Sequence, residues 1–234
     1  MRYIILLSLI FATACTAQTV RQPENTGPLQ LLRNGNDLFI EGQTFKEDFD
    51  FTEILDANPV GDGVGQVKTG ASITFKNCRF LGRVSAFAEN KGGQLVKAIF
   101  LSNFSFVDCE FREAVSFRGS TILGSANFSK SRFFASANFE EAAFQSHANF
   151  IDCLFYGEAR FQNAFFHQKA NFMNAQFDQT AHFQNAVFQG EAQFSVTQFQ
   201  GYADFSLIHC GHNCHFNYSQ FNDRCTFGDA YFVR

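Results

Sequence analysis

The chain has 234 residues; 34 are phenylalanine, two are methionine, three are proline and none is tryptophan. Three prolines exclude a proline-rich linker architecture, and the length suits one large domain or two small ones. A formal net charge of −4 argues against a nucleic-acid binder that neutralises phosphates, and it falls short of the dense acidity of a DNA mimic.

The amino terminus, up to Cys15, carries an address. Arg2 supplies a positive start, Tyr3–Phe11 an apolar core, and Ala12-Thr13-Ala14 a run of small residues before Cys15. That order is the pattern of an export signal, and the apolar run falls short of the ~20 residues that span a bilayer. A buried amino-terminal strand or helix is the competing reading. Ala-Thr-Ala-Cys resembles the lipobox of bacterial lipoproteins, although Ala12 stands where leucine is usual. The resemblance implies a signal peptide over 1–14, with Cys15 as the first mature residue and the lipidation site. Ordinary signal-peptidase cleavage near Ala14 or Ala17 is the alternative. The expected location is the outer membrane or periplasm of a Gram-negative-type bacterium, with the membrane reached through a lipid anchor. Residues 15–28 are polar, with Pro23, Gly27 and Pro28, and suit a flexible tether.

Residues 29–70 read as an amino-terminal cap or first coil. They carry Leu38, Ile40, Phe45, Phe49, Phe51, Ile54 and Leu55, and then a Gly-rich loop over 57–70. That loop lacks the ordered carboxylates of a calcium site and the Lys-Ser/Thr of a phosphate loop. Residues 71–234 form the repeat region. Ile73/Phe75 and Cys78/Phe80 fit its pattern, and the phase then breaks at an insertion near 82–103, with a loop around Glu89–Gln94.

From Phe106 onward the period is 11. A first series of slots, 106, 117, 128 and onward to 227, is phenylalanine at all twelve positions. A second series, 111 to 232, is phenylalanine at ten of twelve, with Ile122 and Cys210 as the exceptions. Two residues before the slots, 21 of 24 positions are Ala, Ser, Cys or Thr. A right-handed helical coiled coil also has an 11-residue period, but it needs apolar spacings of three and four throughout. Here the spacings run 2, 3, 2, 4. The two-residue step puts the small residue and the Phe on one face of an extended segment, and Gly, Asn, Asp and Ser between the pairs suit turns. The fold predicted is a solenoid of short extended sides. The small residue and Phe point inward, and the polar residue between them, such as Asn127, Asn138, Asn149 or Asn171, points outward. Equivalent rings would stack in columns from coil to coil, offset or edge to face.

Ala137-Asn138-Phe139 and Ala142-Ala143-Phe144 resemble the repeat of the pentapeptide-repeat proteins, a small residue two before a central Leu or Phe. The resemblance covers residues 102–234 continuously and extends, with interruptions, to about residue 71. It implies an all-β, right-handed quadrilateral parallel β-helix. One extra residue in every second unit makes the coil about 22 residues instead of 20, and a turn after the second Phe, such as Gln145-Ser146-His147, is the expected place for it. Six such coils measure about 29 Å. The family is functionally diverse, and its best-known activity, DNA mimicry toward gyrase, is disfavoured here by the export signal and the weak acidity.

The repeat assigns most of the reactive side chains to the core. His209, Cys210, His212, Cys214 and His215 have the ligand types of a zinc or copper site. Yet the cysteines occupy inward slots and His209 and His215 outward ones, so the histidines are weak metal candidates. Cys109 and Cys153 fall two coils apart, about 9.6 Å, too far for a disulfide; Cys210 and Cys214, on sides that meet at a corner, are the pair near enough. No acidic column of the kind a polysaccharide-cleaving β-helix needs forms beside Glu141, Glu158 or Glu191, and no catalytic triad stands out. The expectation is a non-catalytic scaffold or protein-binding module without a cofactor. Its partner is unknown and no nucleic acid is expected. The repeat runs to Phe232, so a homodimer through the carboxy-terminal coil is expected, or else a monomer whose edge is blunted by Asp229 and Arg234.

Overall fold

A computed structural model describes residues 4–7, 27–54, 64–89 and 95–233. Cys15 lies outside these residues, as do the tether up to 26 and residues 57–63 of the Gly-rich loop. The fold is an all-β quadrilateral helix of four parallel sheets, here called I to IV in the order the chain visits them. In one coil, Phe104–Val107 lies in sheet I, Glu110–Phe111 in II, Val115–Ser116 in III and Thr121–Ile122 in IV. The next coil starts at Ala126, which pairs with Phe104, and the same 22-residue offset runs to the end, where His209 pairs with Tyr231.

The corners explain the length of the coil. After the first Phe of a unit comes a two-residue turn. At Glu140-Glu141 it is closed by the Ala142 N–H donating to the Phe139 carbonyl at 3.1 Å, with Glu141 at φ 59°. After the second Phe come three corner residues, as at Gln145-Ser146-His147. The extra residue therefore sits after the second Phe, where the sequence pattern placed it.

The outward asparagines do more than face water. Asn127, Asn138, Asn149 and Asn171 each accept, through Oδ1, the backbone N–H two residues on, at 2.8–3.1 Å. This local bond satisfies a turn amide and selects Asn or Asp for the place. Ser131, Thr197 and Ser219, in the inward small series, donate to the carbonyls of Phe106, Phe172 and Phe194 in the preceding coil, at 2.9, 2.8 and 2.7 Å. A hydroxyl is thus tolerated in the core because it bonds the turn behind it.

The core is a lattice of rings. In sheet II, Phe133, Phe155, Phe177, Phe199 and Phe221 stack with centroids 4.8, 4.7, 5.0 and 4.9 Å apart. That is the spacing of hydrogen-bonded strands, ~4.8 Å, so the backbone ladder dictates the ring ladder. The sheet I and sheet III columns meet edge to face, Phe161 on Phe172 at 5.3 Å and 87°. The columns are fully buried from Phe75 to Phe205; at the ends Phe45, Phe216 and Phe221 are half-buried and Phe227 is exposed.

The first coils are longer. Arg79 pairs with Glu110, 31 positions on, because Phe87–Glu89 leaves the coil and returns antiparallel to Leu95–Lys97. Thr44 pairs with Arg79, 35 positions on. Strands are already in place at Asp37–Glu41, Thr44–Phe45 and Phe49–Asp50, in sheets I, II and III. Ile4–Leu7 pairs in parallel with Asp37–Glu41. A short helix, Pro28–Arg33, which the apolar pattern did not reveal, begins on its proline and buries Leu31 and Leu32. Arg33 pins it to the Glu53 and Ile54 carbonyls at 2.6 and 3.0 Å.

Among the described residues twelve non-glycine residues have positive φ, most of them at the second place of the two-residue turns. Asn163, Asn174 and Asn185 tolerate it; Val196, at φ 62°, does not. Val196→Asn is therefore expected to stabilise the protein by about 1 kcal/mol, read as a raised denaturation midpoint with an unchanged m-value.

Candidate binding surface

Because the core absorbs the phenylalanines, chemistry is left to the outward columns. Sheet I presents an uncharged row, from Ser105 through Asn127, Asn149 and Asn171 to Gln193. Sheet II differs at its amino-terminal half. There Glu110 is held by three arginines: Arg112 at 2.8 Å, Arg132 at 2.8 Å and Arg79 at 3.2 Å. Partial burial works against ionisation of Glu110; the Arg112 hydrogen bond and the charges of Arg112, Arg79 and Arg132 outweigh it and hold the carboxyl below its ordinary range. This cluster borders a groove of about 370 Å³ that reaches Gly42, Gln43 and Cys78.

At the adjoining corner stands an outward ladder. The Arg112 guanidinium lies 4.0 Å from the centroid of Phe134, and Phe134 stacks on Tyr156 at 4.8 Å. Arginine over an aromatic face gains cation–π attraction. Tyr156 is 38% exposed and Leu81 is 41% exposed, so an apolar and aromatic surface faces solvent beside the arginines. Arg, Tyr and Phe on a rigid frame are the residue types that dominate protein interfaces.

The weak metal candidates are dispersed. His209 is outward on sheet IV and its ring lies 4.9 Å from that of Tyr231, His212 is an exposed corner residue, and His215 is outward on sheet I, 3.9 Å from Glu191. Cys210 and Cys214 form a disulfide across the corner, with Cα atoms 6.2 Å apart, so neither is a free thiolate ligand. Among the described residues no group of three or more His, Cys, Asp or Glu side chains is placed to hold a metal ion.

Cys78, Cys109, Cys153 and Cys225 are free thiols. Ser131 stands between Cys109 and Cys153, whereas Cys78 and Cys109 are direct neighbours in adjacent coils. Counting by the regular offset misses that pair, because the excursion at Phe87–Glu89 lengthens their coil. The alignments of Phe80 with Phe111 and Arg79 with Glu110 are the signals that find it.

The family model described as Pentapeptide repeats (9 copies) matches residues 106–154, 141–186 and 172–220. No curated protein and no solved structure matches the chain.

Proposed function

We propose, for a solenoid built of pentapeptide repeats, a fold that is generally non-catalytic and supports protein binding, that this protein is an envelope-associated binding module whose rigid β-helix presents the Arg112–Phe134–Tyr156 ladder to a protein partner. The observation that carries the reading is the ladder itself. Three consecutive coils place a guanidinium and two rings outward in one column, beside Leu81 and the Arg79–Glu110–Arg132 cluster. The mixed charge of that cluster suits a protein surface better than a mimic of duplex DNA. The address rests on residues 1–15, with Cys15 as the lipidated residue; on this reading the Ile4–Leu7 strand leaves with the leader on processing. Labelled palmitate incorporated by the wild type and lost in Cys15→Ala supports the anchor; an unprocessed cytoplasmic chain contradicts it. A homodimer through the carboxy-terminal coil belongs to the same proposal, since Phe232 there is 45% exposed. Sedimentation that shows a dimer for the wild type and a monomer for Phe232→Glu supports it, and a wild-type monomer contradicts it.

The binding reading is tested by quantitative capture from envelope extracts. A Phe134→Ser/Tyr156→Ser double variant with unchanged circular dichroism is expected to lose at least about ten-fold of a partner that the wild type retains, as hot-spot residues do. Equal capture by both proteins contradicts the assignment of this surface.

A further inference from the structure

We propose that Cys78 and Cys109 are a redox-active dithiol that takes its oxidation from a small-molecule or protein disulfide and closes into a second intrachain disulfide. The register comes first. Arg79 pairs with Glu110 and Phe80 with Phe111, and the Glu110 N–H donates to the Cys78 carbonyl at 2.8 Å. The two cysteines therefore occupy the same inward place in adjacent coils, one strand spacing or ~4.8 Å apart, within the Cα range that a disulfide spans. Both are buried, and each thiol donates to backbone carbonyls, Cys109 to Phe75 and Val107 at 3.5 Å and Cys78 to Lys76 and Ile40 at 3.3 and 3.6 Å.

The two thiols are not equivalent. The neighbouring Cys109 thiol holds the Cys78 pKa below its ordinary value against the effect of burial, and the backbone at Gln43, Lys76 and Gly42 adds to it. Burial, and after it the neighbouring Cys78, pushes the Cys109 thiol far up. The thiolate is the attacking species in exchange, so Cys78 is the nucleophile and Cys109 the resolving thiol. Access is on the Cys78 side, where Gly42, Gln43 and Arg79 border the groove on sheet II.

The exchange balances. The Cys78 thiolate attacks one sulfur of the incoming disulfide, forms a mixed disulfide and expels one thiolate. Cys109 loses its proton to the medium, attacks the Cys78 sulfur and expels the second thiolate. The chain loses two electrons and two protons, and the disulfide oxidant is reduced to two thiols. The product ties together covalently the coils on either side of the Phe87–Lys97 excursion, which the backbone ladder, the Arg79–Glu110 ion pair and the Phe80–Phe111 stack already join. Among the described cysteines other pairings are blocked: Ser131 separates Cys109 from Cys153, Cys210 and Cys214 are already bonded, and Cys225 lies on sheet III.

The full chain, reduced and then exposed to oxidised glutathione, is quenched in acid, alkylated and digested with trypsin. Mass spectrometry should find residues 77–79 linked to 98–112, with the linked form at least about ten-fold above glutathione adducts of either peptide. Cys109→Ser should trap glutathione on Cys78, and Cys78→Ser should leave Cys109 unmodified. Serine already occupies this column at Ser131, so the substitutions are compatible with the core, and circular dichroism confirms that each variant folds. A persistent adduct on Cys78 in the wild type, or both thiols still open to alkylation after oxidation, overturns the proposal.

Discussion

Replacing Phe172 with alanine lowers the unfolding free energy by about 3–5 kcal/mol, the cost of a large cavity in a close-packed core. Phe172 is fully buried. It stacks on Phe150 at 4.8 Å and on Phe194 at 4.9 Å, and it meets Phe161 and Phe183 edge to face at 5.3 and 5.5 Å. Each aromatic pair adds about 0.5–1.5 kcal/mol beyond the buried area. The consequence is not only a lower midpoint. In a solenoid each coil touches only its neighbours, so a weak coil in mid-stack uncouples the two ends. Urea unfolding of Phe172→Ala is expected to broaden or split into two transitions, with the carboxy-terminal coils melting first. A midpoint within error of the wild type would mean that the rings do not carry the core.

Gly157→Ala is expected to destabilise by about 1–3 kcal/mol through overpacking. The added Cβ would stand 2.5 Å from the carbonyl carbon and oxygen of Ala135, in the coil before it. Backbone cannot yield as a side-chain tip can, so the corner must open and strain the ladder on both sides. Gly70 supplies the control. Nothing lies within 4 Å of a Cβ placed there, so Gly70→Ala should be neutral or slightly stabilising through lost chain entropy. Thermal melts of the two variants side by side separate contact from the general effect of losing a glycine.

The regular part of this molecule is legible because each residue type answers to one place in the coil. Phe128 and Ala126 must face inward together, since they are two apart in extended backbone, and the three residues after Phe144 supply the extra length of the coil. The Cys210–Cys214 bond is legible for the same reason: slot positions place both thiols at one corner. Asn149 shows what periodicity alone misses. Its outward place is evident, but its bond to the Ile151 amide depends on turn geometry that no spacing reveals. The helix at Pro28–Arg33 is hidden because six residues hold too few turns for an apolar stripe to emerge. The first coils are hidden by their own length, since an excursion and a Gly-rich loop stretch their offsets past the regular one. The candidate surface is the least legible part. Arg112, Phe134 and Tyr156 share no motif and come together only through the 22-residue offset.

That offset is the central claim, and spin-label distances test it most directly. Ser105 and Gln193 both face outward on sheet I and are joined by four successive pairings through Asn127, Asn149 and Asn171. Labels are placed on Ser105→Cys and Gln193→Cys, with Cys15, Cys78, Cys109, Cys153 and Cys225 changed to serine. They should give one narrow separation of about 19 Å, four strand spacings. A broad distribution, or a mean beyond about 30 Å, would contradict the 22-residue coil.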